Sequence, residues 1–132
     1  AATPLVSDLA ILVADDNAVN RKLTLQQLKK LGYGAEAVED GRAAVEAVLG
    51  GHYDLVLMDC EMPGLDGFEA TRVIRAAERR GGGHIRIVAM TANALEGDRE
   101  ACLAAGMDEY LAKPVQLEAL RAVVEQRAHA GG

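Results

Sequence analysis

Ile11-Leu12-Val13-Ala14-Asp15-Asp16, Leu55-Val56-Leu57-Met58-Asp59, Ile87-Val88-Ala89-Met90-Thr91 and Tyr110-Leu111-Ala112-Lys113-Pro114 decide how this chain is read. In each stretch a short apolar run ends on a polar signal. If every run is a parallel strand, the four signals fall at the same edge of one sheet. Ligands of open α/β sheets bind in the crevice outside the carboxyl ends of the strands. Three carboxylates, a hydroxyl and an ammonium then share one crevice, a set suited to a metal ion and a phosphoryl group.

Working outward, residues 1–8 read as a tail or the end of a linker, 9–128 as one domain and 129–132 as a second tail. Strands are predicted over 9–14, 33–38, 54–58, 85–90 and 108–112. The second is weak and suits an edge. Helices are predicted over 18–31, 41–49, 65–79, 94–105 and 115–128. Asn17 or Asp16 caps the first, and Gly32, Gly50-Gly51 and Gly106 stop the first, second and fourth. Pro63-Gly64 turns the chain, Gly81-Gly82-Gly83 is a flexible connection, and Leu117, Leu120 and Val124 form one stripe of the last helix. Five strand–helix units in strict alternation imply an α/β fold with a parallel sheet, helices on both faces and right-handed crossovers. No repeat and no second domain is visible.

The chain has 132 residues, enough for a real core. Half of them are apolar but only Tyr33, Tyr53, Tyr110 and Phe68 are aromatic, so Leu, Val, Ile and Ala must fill the interior. A net charge of −6 argues against sequence-independent nucleic-acid binding. No apolar stretch approaches a membrane span and no leader is visible, so no direct membrane contact is expected. Cys60 and Cys102 are too few for a disulfide scaffold and lack metal spacing. A reduced, cytoplasmic setting is expected, including the cytoplasmic part of a membrane-bound sensor.

Adjacent carboxylates at Asp15 and Asp16 repel each other unless a cation sits beside them. With Asp59 they make a site for a hard, oxygen-binding ion, Mg²⁺ or in its place Mn²⁺. Lys113 can pair with one phosphoryl oxygen and the Thr91 hydroxyl can donate to another. Asp59 is the best nucleophile, being single, central and flanked by apolar residues; aspartyl phosphates are established chemistry. The bland alternative is that acidic residues at strand ends merely cap helices, as expected for Asp66 and Asp98. The joint placement of all four signals weighs against it here.

Three segments, ILVADDNAVNRKL, DLVLMDCEMPGLDGFEATRVIR and IRIVAMTANALEGDREACLAAGMDEYLAKP, resemble the receiver domain of two-component response regulators, over about residues 8–128. The resemblance implies a flavodoxin-like three-layer sandwich with strand order 2-1-3-4-5. It implies that Asp59 accepts a phosphoryl group from a phosphohistidine. Mg²⁺ would be bound by Asp16, Asp59 and the backbone carbonyl of Glu61, with Asp15 acting through a water. Lys113 would hold the phosphate, Thr91 would move toward it, and Tyr110 would respond as the aromatic switch. Ala92, Asn93 and Glu61 would lie beside the phosphate, with Glu61 influencing phosphoryl lifetime. The Lys113–Pro114 peptide would be cis. DNAVNRK, MDCEMPGLDGFEATR and AMTANALEGDRE look like receivers of hybrid sensor histidine kinases, which exchange phosphoryl groups with a histidine kinase or a histidine phosphotransfer domain. One departure is Arg86, where that sub-family often has Pro; it bears on the loop before the fourth strand.

Helical spacing puts Ala18, Lys22, Leu25 and Lys29 on one face of the first helix, a docking surface for a helical partner bearing phosphohistidine. Met58, Met62, Met90 and Met107 are read as core or loop filling, and His52, His84 and His129 are assigned no chemistry. Three other functions are weighed. A stand-alone receiver would act by protein binding. A phosphohydrolase with an Asp nucleophile would need a substrate cap, and the loops are short. A nucleotide or flavin binder would need a phosphate-cradling loop where the chain has Asp15-Asp16.

Overall fold

The central apolar runs fold as the middle of a parallel sheet, where both faces are covered and every position can be apolar. A computed structural model describes residues 9–51, 53–92 and 96–130, the side chains of 96–98 and 126–130 excepted. In chain order these form β1 (Ile11–Ala14), α1 (Ala18–Lys30), β2 (Ala35–Val38), α2 (Gly41–Gly50), β3 (Leu55–Asp59), α3 (Gly67–Gly81), β4 (Arg86–Thr91), α4 (Glu96–Ala105), β5 (Glu109–Ala112) and α5 (Leu117–Ala130). The strands pair in parallel in the order β2-β1-β3-β4-β5. This is the implied 2-1-3-4-5 sheet with five helices. The expected tail at 1–8 and the positions of His52, Asn93 and Ala94 lie outside the described residues.

Alternation along each strand splits the core into two halves. Ile11, Val13, Leu55, Leu57, Val88 and Met90 face Leu28 of α1 and Leu120, Val123 and Val124 of α5. Leu12, Ala14, Val56, Met58, Ile87 and Ala89 face Ala44 of α2, Ala70 and Ile74 of α3, and Cys102 of α4. All four methionines are buried. Val123 joins Leu120 and Val124 in the buried stripe of α5, while Leu117 is only half-buried. Among the described residues no helix is long and apolar enough to cross a membrane.

Several boundaries differ from the sequence expectation. β2 begins at Ala35, because Tyr33 closes the end of α1 instead: Gly32 takes φ +93° and the Tyr33 N–H donates to the Leu28 carbonyl at 2.9 Å. α3 begins at Gly67, because Asp66 takes the cap. Its carboxylate accepts from the Glu69 N–H at 2.9 Å, and the Glu69 carboxylate accepts from the Asp66 N–H at 3.3 Å. β3 and β4 each run one residue further than expected, making Asp59 and Thr91 the last residues of their strands. Gly81 is the last residue of α3, and Gly82 and Gly83 turn the chain with φ +84° and +89°. Arg86 opens β4 and pairs with Glu109 at 3.7 Å.

At the sheet edge away from the four signals, Arg75 of α3 is nearly buried and fully engaged. Its Nε donates to the Gly106 carbonyl and its Nη1 to the Ile85 carbonyl, both at 2.8 Å. Nη1 also reaches Glu78 at 2.6 Å, and Nη2 reaches Asp108 at 2.8 Å. The same two carboxylates accept the N–H groups of Ile85 and Ile87. One guanidinium thus fastens α3 to the segments that lead into β4 and β5.

Candidate functional site

Parallel register brings the strand ends together: Asp59 of β3 pairs across from Met90, and Thr91 of β4 from Ala112. Asp15, Asp16, Asp59, Thr91 and Lys113 therefore meet at one edge. Asp15, Asp59 and Thr91 are 0, 2 and 4 % exposed and form the floor, while Asp16 faces solvent. One carboxylate oxygen from each of Asp15, Asp16 and Asp59 lies within 4.8 Å of the others. Lys113 Nζ stands 2.9 Å from Asp59 Oδ2 and 3.5 Å from Asp15 Oδ2. The Lys113 N–H donates to the Thr91 carbonyl at 2.8 Å, and the Lys113–Pro114 peptide is cis.

The surrounding backbone holds these carboxylates in place. The Asn17 N–H donates to Asp15 Oδ1 at 2.9 Å, and the Asn17 side chain caps α1 by accepting from the Asn20 N–H at 3.0 Å. Arg21 donates to the Asp15 carbonyl at 2.8 Å, a contact that nothing in the sequence pattern pointed to. The Glu61 N–H donates to Asp59 Oδ1 at 3.1 Å, while the Glu61 side chain is exposed. Ala92 is exposed directly after Thr91. Asp16, Cys60, Glu61, Met62, Pro63, Asp66 and Phe68 line an open cleft of about 490 Å³ that reaches Asp16 and the residues after β3.

Burial pushes the Asp59 carboxyl up to about 6, helped by the neighbouring Asp15 charge. Lys113 and the Glu61 N–H pull the other way. Burial also disfavours the Lys113 ammonium, but the carboxylates of Asp59 and Asp15 outweigh it, and its pKa ends above the ordinary lysine value. The electrostatics are those of a site short of positive charge. Three carboxylates face one ammonium, and Asp15 Oδ2 is buried without a hydrogen-bond partner. That oxygen has only the 3.5 Å ion pair to Lys113, which is itself closer to Asp59. A buried carboxylate so thinly compensated is costly, and the three carboxylates together fit a hard divalent cation.

Around this centre, Tyr110 is half-buried on β5, with the Arg99 guanidinium of α4 5.9 Å from its ring centroid. On α1, Ala18, Lys22 and Lys29 are exposed, but Leu25 is half-buried and packs against the core. The large apolar residues that α1 does expose are Val19, at 75 %, and Leu23, at 41 %. Leu23 lines a small pocket with Asp15, Lys113 and Pro114, at the margin of the site.

Known proteins share this fold. The family model for the response regulator receiver domain matches residues 11–125. A segment of the hybrid signal transduction histidine kinase B of Dictyostelium discoideum is 44 % identical over 115 residues, covering 80 % of this chain. The chain spans only 6 % of that relative's length. The receiver domain of a sensor histidine kinase from Pseudomonas aeruginosa, with a magnesium ion coordinated in its active-site cleft, superimposes with a TM-score of 0.80 at 45 % identity, over 91 % of this chain and 97 % of the other. The receiver domain of the response regulator Ssk1 of Saccharomyces cerevisiae, co-crystallised with the histidine phosphotransfer protein Ypd1, superimposes with a TM-score of 0.81 at 32 % identity, over 85 and 83 % of the two chains. With a family match over nearly its full length and the acidic site at the expected strand ends, this chain belongs to the response regulator receiver domains.

Proposed function

We propose that this domain is the phosphoacceptor of a phosphorelay. Asp59 takes a phosphoryl group from a phosphohistidine and passes it to a histidine phosphotransfer domain, within a hybrid sensor histidine kinase. The observation that carries this reading is the buried Asp59 carboxylate, 2.9 Å from Lys113 and grouped with Asp15 and Asp16. An Asp59 oxygen attacks the phosphorus as the phosphorus–nitrogen bond of the donor breaks. Lys113 then exchanges its carboxylate partners for a phosphoryl oxygen, and Thr91 donates its hydroxyl to another. Asp16, Asp59 and the Glu61 carbonyl would hold Mg²⁺, with Asp15 acting through a water and Mn²⁺ as a substitute. A bound cation of this kind neutralises charge on the transferring phosphoryl oxygens.

The relay context is supported by the likeness to a segment of a hybrid histidine kinase, and the partner class by the yeast receiver co-crystallised with a phosphotransfer protein. The docking surface would centre on Ala18 and Lys22 of α1. Val19 and Leu23 supply its exposed apolar contact, and Leu25 supports it from the core side. Thr91 and Tyr110 would carry the switch, with Arg99 resting on the tyrosine ring.

Intact mass after incubation with Mg²⁺ and acetyl phosphate tests the reading. One added phosphoryl group is expected on the wild type and none on Asp59→Ala. No adduct, even with a phosphorylated histidine partner, would refute it.

A further inference from the structure

Cys60 and Cys102 are 42 positions apart in sequence, yet their sulfurs lie 3.8 Å from each other, both buried and not joined by a disulfide. Cys60 directly follows Asp59. Its N–H donates to the Met90 carbonyl at 3.0 Å, and its carbonyl accepts from the Gly67 N–H at 3.2 Å, so β4 and α3 hold its backbone. Cys102 belongs to α4, the helix that follows the Thr91 strand. We propose that this thiol pair is a redox modification site: a hydroperoxide converts it to an intramolecular disulfide that ties α4 to the loop behind Asp59.

The chemistry balances in two steps. A Cys60 thiol and hydrogen peroxide give a sulfenic acid and water; peroxide is reduced and sulfur oxidised by two electrons. The Cys102 sulfur then displaces the hydroxyl, the sulfur–sulfur bond forms, and the thiol proton leaves with the hydroxyl as a second water. Cys60 is the entry point because it borders the open cleft of about 490 Å³. A peroxide is close to water in size, whereas a bulky disulfide oxidant would not reach a sulfur this buried. Burial slows the first step; the short gap favours the second over further oxidation. Bond formation asks the sulfurs to close by about 1.8 Å, from the observed gap to a bonded distance near 2.05 Å. The Cys60 backbone is held by two hydrogen bonds and Cys102 lies in the last turn of α4, beside the anchored Gly106, so the closure falls to rotation of the two side chains and a small shift of that turn.

The test treats the native protein with hydrogen peroxide, then unfolds it in a thiol-alkylating reagent and measures intact mass. Expected is the loss of two hydrogens with no alkylation, reversed by dithiothreitol, in a monomer. Cys60→Ala and Cys102→Ala should each abolish that loss. Two alkylatable thiols remaining, a disulfide-linked dimer, or a stable sulfinic acid on Cys60 would each overturn the proposal. These readouts do not depend on phosphoryl chemistry. The coupling to the site does rest on the phosphoacceptor reading. Oxidised protein should take up the phosphoryl group from acetyl phosphate about fivefold more slowly than the same sample after reduction, the low end of usual coupling between sites. Equal rates, with the reduced sample active, would overturn the coupling alone.

Discussion

Replacing Asp59 by Asn should stabilise the metal-free protein while abolishing phosphoryl uptake. Burial raises the Asp59 pKa from 3.8 to about 6. The folded state therefore holds a proton there that the unfolded chain releases, and stability falls as pH rises through that window. Below pH 3.8 the cost is absent; above 6 it is fully present. A shift of two units corresponds to about 3 kcal/mol, and the relaxation that gives protein sites a high effective dielectric reduces this to about 1–2 kcal/mol. Asn keeps the shape and the acceptor for the Glu61 N–H but carries no charge. Urea unfolding of both proteins in a chelating buffer, at steps from pH 4 to pH 7.5, should show curves that coincide at the acid end and separate by about 1–2 kcal/mol at neutrality. Mg²⁺ at ten times its dissociation constant should then return about 1.4 kcal/mol to the wild type and much less to the variant. An Asn variant no more stable at pH 7.5, or a gap that does not change with pH, would refute this account of the site.

Five further substitutions probe the fold around the site and its docking surface. A Cβ on Gly67 would sit 2.2 Å from the Asp59 carbonyl oxygen, so Gly67→Ala should cost about 2–3 kcal/mol by chemical denaturation. Gly81→Ala, in open space at the end of α3, should instead gain about 0.5–1 kcal/mol. Arg75→Met strands the Ile85 and Gly106 carbonyls and removes the cation from Glu78 and Asp108. It should cost about 3–5 kcal/mol, read as a large drop in melting temperature, while the folded fraction still accepts phosphoryl groups. Leu23→Asp should slow transfer from a phosphorylated histidine partner about tenfold with little change in stability, whereas Leu25→Asp should destabilise the fold. Unchanged transfer in a folded Leu23→Asp would remove α1 from the docking surface.

The site was legible because parallel strands advertise themselves. A run such as Leu55-Val56-Leu57-Met58 is apolar at every position only when both faces are covered, so its first polar residue marks the carboxyl end. Counting to that residue located Asp15, Asp59, Thr91 and Lys113 without any contact being known. The helix boundary at Asp66 was also there to be read, since Asp66 and Glu69 have capping-box spacing. Tyr33 misled because an apolar residue after a glycine reads equally as a strand start and as a helix closure. On α1, leucines at 23, 25, 28 and 31 spread around the helix, so spacing alone could not tell the buried Leu28 and half-buried Leu25 from the exposed Leu23. Arg75 could not be found at all. Its partners Gly106 and Asp108 lie about thirty positions away, and a charged residue on a helix carries no periodic mark of being buried.

The Arg75 anchor gives the molecule a mechanical asymmetry. The entry segments of β4 and β5 are clamped to α3 through one guanidinium, and so is Gly106, directly after α4. The opposite ends of the same strands lead to Thr91 and Lys113, at the acidic site. A charge arriving at Asp59 therefore acts on the sheet at the end that Arg75 does not clamp. Any answer from α4 is then expected to pivot about its last turn, which Gly106 ties to Arg75.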